Sequence, residues 1–221
     1  MYTVYMKATA LEPVPRDLRR QRTHEALQQA ALQLTSEGRS FTSLSLREVT
    51  REAGVVPAAF YRHFRDMDEL GLTLVEEGGG TLRRLLREAR AGMPDVDMIR
   101  RSVRIYMEYI AANRPHILFM ARERTGGSPA IRVAVRRQIE HFANEMAQDL
   151  RQLNFLPHLS TATLQMVCGL VVNTMITAAS DLLDLPAGQP QVEQELIERF
   201  VRQLRVVFMG ATRWQDAPPA A

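Results

Sequence analysis

Cysteine is almost absent from this 221-residue chain, and Cys168 is the single one. An internal disulfide and a metal site built from several cysteines are therefore excluded, and the apolar neighbours of Cys168 predict a buried thiol. The five histidines are scattered, and the sequence contains no glycine-rich phosphate loop, no metal-spaced histidine set and no nucleophile motif. We therefore predict that the protein is not an enzyme and needs no cofactor.

Long hydrophobic runs are also missing. The longest apolar-rich stretch, residues 166–176, contains Asn173 and is too short to cross a bilayer. Residues 1–15 lack the apolar core of a signal peptide. We expect a cytoplasmic protein without a membrane partner.

Lysine is scarce, since Lys7 stands alone against 27 arginines. The arginines are unevenly placed: residues 16–65 hold nine of them and only five acidic residues. The net charge of the whole chain is only +3, so the positive charge is concentrated near the N-terminus. A local excess of this kind favours contact with a polyanion such as DNA.

Helical periodicity dominates the chain, and no segment alternates like a half-buried strand. We predict an all-α fold of about nine helices, with Gly38 ending the first helix. The predicted helices cover residues 17–37, 45–54, 57–64, 66–90, 97–113, 115–124, 129–153, 161–183 and 191–214. The predicted regions are a disordered extension (1–15), a three-helix helix-turn-helix domain (16–66), a ligand-binding and dimerisation domain (67–214) and a disordered tail (215–221).

Residues 45–64 have the pattern of a helix-turn-helix. Ser45 followed three positions later by Glu48 is a capping box, which predicts that a short helix begins there. Gly54 suits the turn, and Pro57 can occupy the first turn of the next helix, where its missing N–H is not needed. A helix braced by a preceding one fits the major groove of B-form DNA. We therefore predict that this segment binds DNA.

Residues 41–70, FTSLSLREVTREAGVVPAAFYRHFRDMDEL, resemble the DNA-binding half of the TetR family of bacterial regulators. The shared pattern is a threonine before the first helix, an Ala-Gly-Val turn and an aromatic-rich ending before His-Phe. The resemblance implies a repressor that binds double-stranded operator DNA. It places these residues near phosphates: Ser43, Ser45, Tyr61, Arg62 and His63. It places these residues closest to the base edges: Pro57, Ala58 and Ala59.

The small side chains at the base-facing positions can contact a thymine methyl but cannot form bidentate bonds to guanine. We therefore expect Arg47, the arm that contains Arg19 and Arg20, or the shape of the DNA to supply specificity. The sequence departs from many relatives at two positions. Arg62 stands where they have a second aromatic residue, and no lysine lies near Met67.

The last two predicted helices, at 161–183 and 191–214, are apolar on more than one face. Such helices are buried on two sides, so one side can pack the chain's own core and the other a second subunit. The resemblance implies the same arrangement, a homodimer held by four helices that binds a palindromic operator. The predicted interface residues are Val167, Val171, Thr174, Phe200, Leu204 and Phe208.

An apolar stripe at residues 99–110 and a total of 11 methionines indicate either plain core or a cavity for a flexible apolar ligand. Residues 43–49, 60–72, 122–126 and 139–142 resemble the FabR and DesT group, repressors of unsaturated fatty-acid synthesis. That resemblance implies an apolar tunnel for a long-chain acyl-CoA effector and control of fatty-acid desaturation or unsaturated fatty-acid synthesis. The predicted ligand-binding residues are Val103, Tyr106, Met107, Ile110, Met120, Arg122, Arg124 and Met175.

Several alternatives stay open. Arg122 and Arg124 can contact CoA phosphates, or they can form an internal ion pair with Glu123 or Glu140. The protein can instead be a sensor of drugs or aromatic compounds that controls an efflux operon.

Overall fold

The computed structural model describes residues 15–90, 98–185 and 188–216. Within these ranges the chain forms ten α-helices and one 3₁₀ turn and contains no strand, which confirms the all-α prediction. The elements are α1 (Arg16–Ser36), the 3₁₀ turn (Phe41–Ser43), α2 (Leu46–Glu52), α3 (Pro57–Phe60), α4 (Met67–Glu77), α5 (Gly80–Arg90), α6 (Met98–Ala112), α7 (Arg114–Glu123), α8 (Pro129–Gln152), α9 (Thr161–Leu183) and α10 (Pro190–Arg213).

The predicted helix ends are confirmed where local chemistry determines them. Gly38 has a φ of +97° just after α1, a conformation that favours glycine. The Ser45–Glu48 capping box is present at the start of α2: the Ser45 side chain accepts from the Glu48 N–H, and the Glu48 carboxylate accepts from the Ser45 N–H. Asp66 caps α4 by accepting the backbone N–H of Glu69 at 2.8 Å.

The fourth predicted helix is wrong in one respect, because it is interrupted and forms α4 and α5. The break lies at Gly78 and Gly79, where the weak helix propensity of glycine lowers the cost of ending a helix. Two side chains from the next helices contact the break. Tyr109 donates its hydroxyl to the Gly78 carbonyl at 2.9 Å, and the His116 imidazole occupies the space that a Cβ on Gly78 would need.

Two hydrophobic cores lie along the chain. The first combines α1 to α4 with Phe119 of α7 and with Ile131 and Val135 of α8, so α7 and α8 complete this core. The second is built from α5, α6, α8, α9 and α10. We call residues 16–64 the reading head, and they include α1, α2 and α3.

Helix α9 is long and apolar enough to cross a membrane by length and composition, but it packs against α6, α7, α8 and α10 as a core helix. Its N-terminus is capped by Ser160, whose side chain accepts the Thr163 N–H. Asp216 accepts the Ser160 N–H at 2.6 Å, so this residue of the expected disordered tail holds the start of α9. The rest of that tail, 217–221, and residues 1–14 of the expected extension lie outside the described residues.

Candidate nucleic-acid interface and internal cavities

The reading head presents α3 on its surface. Phe60 and Phe64 are buried and anchor α3 and the turn after it, as their spacing predicts. Gly54, with a φ of +66°, forms the turn between α2 and α3. Pro57 and Ala58 are exposed and Ala59 is half-buried, so small side chains lie on the outward face of α3. Helix α3 ends at Phe60, and Tyr61 and Arg62 follow in an exposed turn.

A surface cleft joins the start of α1 to the end of α3. The residues that line this basic cleft are Arg16, Asp17, Arg19, Arg20, Thr23, Ala59, Arg62 and His63. The structure therefore brings together five of the predicted DNA-binding residues that are far apart in the sequence. Burial lowers the pKa of His63, and the positive charges of His24, Arg20 and Arg62 lower it further.

The two serines that were predicted near phosphates already have partners within the head. The Ser43 hydroxyl donates to the Ser40 carbonyl at 2.7 Å, and the Ser45 hydroxyl donates to the Glu48 carboxylate at 2.8 Å. Arg39 binds the same carboxylate at 2.8 Å. Hydrogen bonds from Arg39 and Ser45 lower the pKa of Glu48 to about 2. Arg47 is exposed on α2.

A cavity of about 130 Å³, the outer chamber, lies beneath the break between α4 and α5. Four of the predicted ligand residues line it: Tyr106, Met120, Arg124 and Met175. Its other lining residues are Gly78, Gly79, Leu82, Arg83, His116, Ile117, Ala121, Val135, Gln138, Ile139, Phe142, Val172, Ile176 and Ala179. Arg124 donates to the Asn173 side chain at 3.1 Å, and Arg83 donates to Gln138 at 3.0 Å. The chamber is thus mainly apolar with two arginines in its wall.

The other predicted ligand residues lie elsewhere. Val103 lines a separate cavity of about 40 Å³, the inner chamber. Met107 and Ile110 are buried in the second core and line neither chamber, because their side of α6 faces the core. Arg122 lines neither chamber, and its side chain donates to the backbone carbonyl of Thr35 in the reading head.

Residues 122–128, at the end of α7 and in the loop before α8, contact the reading head and α4, a role that the sequence did not indicate. Glu123 is 2% exposed and accepts the backbone N–H of Phe41 at 3.1 Å. Ser128 donates to Asp68 of α4 at 3.1 Å. Gly127 packs so closely on Thr42 that a Cβ there would lie 2.7 Å from the threonine hydroxyl. These pairs are 60 to 87 positions apart along the chain, so periodicity could not reveal them.

Five of the six predicted dimer-interface residues are turned toward the chain's own core. These five, Val167, Val171, Phe200, Leu204 and Phe208, are buried within the single chain because α9 and α10 turn these faces to their own core. Thr174 is half-exposed and donates its hydroxyl back to the Leu170 carbonyl. The same helices expose other apolar side chains, the exposed apolar face, which comprises Met166, Leu170, Val206 and Met209.

Metal binding finds no support in the part of the chain that the structure describes. Within residues 15–90, 98–185 and 188–216, no group of three or more histidine, cysteine or acidic side chains is placed to hold an ion. Cys168 is buried, as predicted, and burial raises the pKa of its thiol to about 12.

Two family models match the chain. Residues 28–73 match the bacterial regulatory proteins of the tetR family, and residues 96–210, more than half of the chain, match the tetracyclin repressor-like C-terminal domain. The first match contains α2, α3 and the turn between them, and the second contains the helices that form most of both chambers.

Solved structures of several bacterial regulators share the fold. The fatty acid degradation regulator FadR from Bacillus halodurans is 14% identical, with a TM-score of 0.63 over 86% of this chain and 95% of that one. A transcriptional regulator of the TerR/AcrR family from Aquifex aeolicus VF5 is 15% identical, with a TM-score of 0.63 over 84% and 99%. A tetR-family transcriptional regulator from Streptomyces coelicolor is 18% identical, with a TM-score of 0.59 over 87% of each chain.

Proposed function

The chain belongs to the TetR family of bacterial regulatory proteins, and we propose that it is a ligand-responsive repressor that binds a palindromic operator as a homodimer. Regulators of this family bind operator DNA and act as dimers with small-molecule effectors. A repressor of this kind acts on the chromosome and so works in the cytoplasm.

The observation that carries the proposal is the basic cleft beside α3. Arg19, Arg20 and Arg62 lie around it next to the small outward face of Pro57 and Ala58. An arginine cluster suits phosphates, and small side chains allow a helix to approach the floor of the major groove. Both features are needed on one surface for a helix to read base edges while its flanks contact the backbone.

Selection of bound sequences from random DNA, followed by footprinting on the promoter of the protein's own gene, tests operator binding. We expect a palindrome with half-sites about one helical turn apart, as a two-fold dimer requires. The affinity should fall steeply as salt rises, because phosphate contacts release counterions. Recovery of random sequences, or binding that ignores salt, contradicts the proposal.

We further propose that the effector is a long-chain acyl-CoA and that the regulated genes serve fatty-acid desaturation or unsaturated fatty-acid synthesis. The apolar wall of the outer chamber suits an acyl chain, and Arg124, whose partner in the wall is the neutral Asn173 side chain, is a cation suited to CoA phosphates. Arg83 is already paired with the Glu145 carboxylate at 3.0 Å. Arg122 is not a candidate either, because it contacts Thr35.

A compact aromatic compound is a second candidate, and the size of the outer chamber favours it. A cavity of about 150 Å³ engineered into another protein binds benzene, and the outer chamber has about 130 Å³. Phe142 and His116 supply ring faces in its wall. Such a ligand would match a drug sensor that controls an efflux operon.

Mass spectrometry under non-denaturing conditions separates the two effectors. The purified protein is incubated with an equimolar mixture of hexadecanoyl-CoA and a planar aromatic dye. We expect the dimer to retain the acyl-CoA and to change its operator affinity at the same ligand concentration, as linkage requires. Retention of the dye alone supports the aromatic candidate and rejects the acyl-CoA.

Helix α7 can transmit the effect of ligand binding from the outer chamber to the DNA-binding surface. His116, Ile117 and Met120 of this helix line the outer chamber, and Glu123 at its end binds the reading head. A ligand that binds one position of α7 more tightly shifts the population toward that position. In a dimer this changes the spacing of the two reading heads.

A further inference from the structure

The outer and inner chambers share a wall made of side chains. Phe142 of α8 and Val172 and Met175 of α9 line both of them. No backbone layer is needed between the two cavities, because the same three side chains face each one. The remaining inner-chamber residues come from α5, α6, α8, α9 and α10.

The volume of the outer chamber limits the size of ligand that it can hold without movement of its walls. Its 130 Å³ is comparable to the cavity of about 150 Å³ that accommodates benzene. A chain of sixteen carbons is several times larger than that. The inner chamber adds about 40 Å³, so a long chain that enters it places only its last carbons there and keeps the rest of its length in the outer chamber and in solvent.

The shared wall contains a flexible side chain, Met175, at the place where an acyl chain would pass from one chamber to the other. Met175 has three rotatable side-chain bonds and adapts to irregular apolar partners, whereas Val172 is branched at Cβ and stiff. Phe142 is half-buried and can turn about its two side-chain bonds. Phe142 and Met175 are therefore the rotatable members of the shared wall, and Val172 is its stiff member.

Resting on the acyl-chain effector proposed above, we propose that the effector's chain passes between Phe142 and Met175 and that the inner chamber selects its length. Short chains fill the outer chamber only. Longer chains place their terminal carbons against Val103, Ser102 and Leu204. The gain in affinity with length then comes from apolar area that only the inner chamber can bury.

Arg90 gives the inner chamber a defined limit. It lines the inner chamber and not the outer one, is 7% exposed, and is held by Asp149 at 2.5 Å. A buried guanidinium that is fixed by a carboxylate only 12% exposed cannot move aside without losing that ion pair. It is also a poor neighbour for a terminal methyl group, so chains beyond the fitting length lose affinity.

Two matched substitutions distinguish the role of the inner chamber from that of the outer chamber. Ser102→Leu adds an apolar side chain to the inner chamber, and Ala121→Leu adds one to the outer chamber. Both positions are partly exposed helix residues, so leucine suits the local backbone. Dissociation constants are measured by calorimetry for octanoyl-, dodecanoyl- and hexadecanoyl-CoA and for the three free fatty acids. A thermal melt of each variant checks that it is folded.

We expect the wild-type affinity to rise at least about tenfold from octanoyl to hexadecanoyl probes. Ser102→Leu should weaken the hexadecanoyl probes about tenfold or more and change the octanoyl probes less than about twofold. Ala121→Leu should weaken every length. Equal effects of Ser102→Leu on all lengths, or no effect on any, overturn the length selection.

Phe142→Ala gives an independent test, because it removes part of the shared wall. We expect dodecanoyl and hexadecanoyl probes to bind this variant with faster association, since the chambers are already joined. An unchanged association rate contradicts passage at Phe142. Binding of free fatty acids but not of acyl-CoA rejects the CoA part of the proposed function and leaves the length selection intact. Binding of no chain of any length rejects both.

Discussion

The side chain of Glu123 accepts a hydrogen bond from the backbone N–H of Phe41 at 3.1 Å, and both residues are 2% exposed. Glu123 is the last residue of α7, whose earlier turns line the outer chamber. Phe41 begins the 3₁₀ turn that leads into α2. This bond therefore links the cavity helix directly to the reading head, 82 positions away in the sequence.

Glu123→Ala should destabilise the protein and weaken its response to effector. The substitution leaves the buried N–H of Phe41 without its acceptor, which costs about 1–3 kcal/mol. Urea unfolding measures the loss, and operator affinity with and without effector measures the coupling. Glu123→Gln keeps an oxygen that can accept the bond and should lose clearly less stability. Glu140→Ala, at an exposed carboxylate on α8, is the control and should change neither quantity.

Gly78→Ala should destabilise the fold, because its Cβ would lie 1.6 Å from the Nε2 atom of His116. Overpacking of this kind costs about 1–3 kcal/mol. Gly80→Ala is the matched control, since nothing lies within 4 Å of a Cβ there, and it should be neutral or slightly stabilising. Thermal melts of both variants, and of Gly78→Ala combined with His116→Ala, provide the comparison. Failure of the double variant to recover stability would show that the clash is not the cause.

Local signals in the sequence were sufficient for most helix ends. The capping pair Ser45–Glu48, the N-cap Asp66 and the terminating Gly38 all depend on residues within four positions of each other. The break at Gly78 was different. Its glycines were visible, but their partner His116 is far along the chain, and only the packed structure places the imidazole against Gly78.

The outward face of α3 was easier to predict than the outward face of α9, for a physical reason. The outward face of α3 follows from the buried partners Phe60 and Phe64. Helix α9 is apolar on several faces, so composition could not decide which face meets the chain's own core. Val171 turned inward and Leu170, its neighbour, turned outward.

Arg62→Ala should weaken operator binding and reduce its dependence on salt. Each phosphate contact contributes about −0.9 to the slope of log affinity against log salt, so a dimer that loses two contacts should lose about 1.8 from that slope. Fluorescence anisotropy between low and moderate salt measures the slope. Arg84→Ala on α5, whose side chain pairs with Glu88 on the surface, should leave it unchanged. A weaker affinity with the original slope would place Arg62 away from the phosphates.

Operator binding should strengthen as pH falls below neutrality, and His63 should be the cause. Burial and nearby positive charges lower the pKa of His63 in the free protein, so the imidazole is neutral at pH 7. A phosphate in the basic cleft stabilises the charged form and raises that pKa in the complex. DNA-bound protein then binds more protons, and affinity rises as pH falls until the free protein is protonated as well. Titration of affinity against pH measures this uptake.

His63→Gln should abolish the pH dependence, whereas His141→Gln should leave it unchanged. His141 is exposed on α8, near the Glu145 carboxylate and away from the cleft. The His24 ring lies beside His63, with their ring centres 5.7 Å apart, so His24→Gln is measured in parallel. A pH dependence that survives in His63→Gln and disappears in His24→Gln would assign the proton to His24 instead.

Leu170→Asp should convert the dimer to monomers. Leu170 is 52% exposed on α9, and Val206 and Met209 of α10 are more exposed still, which leaves apolar area for a second subunit. A two-fold axis removes the leucine from both sides of the interface, so the dimer dissociation constant should rise on the order of a hundredfold or more. Sedimentation velocity measures the change. Val133→Asp, at another exposed apolar residue on α8, should remain dimeric, and Leu204→Asp should unfold the chain because Leu204 is buried. A dimer that persists in Leu170→Asp would move the subunit interface away from the exposed apolar face.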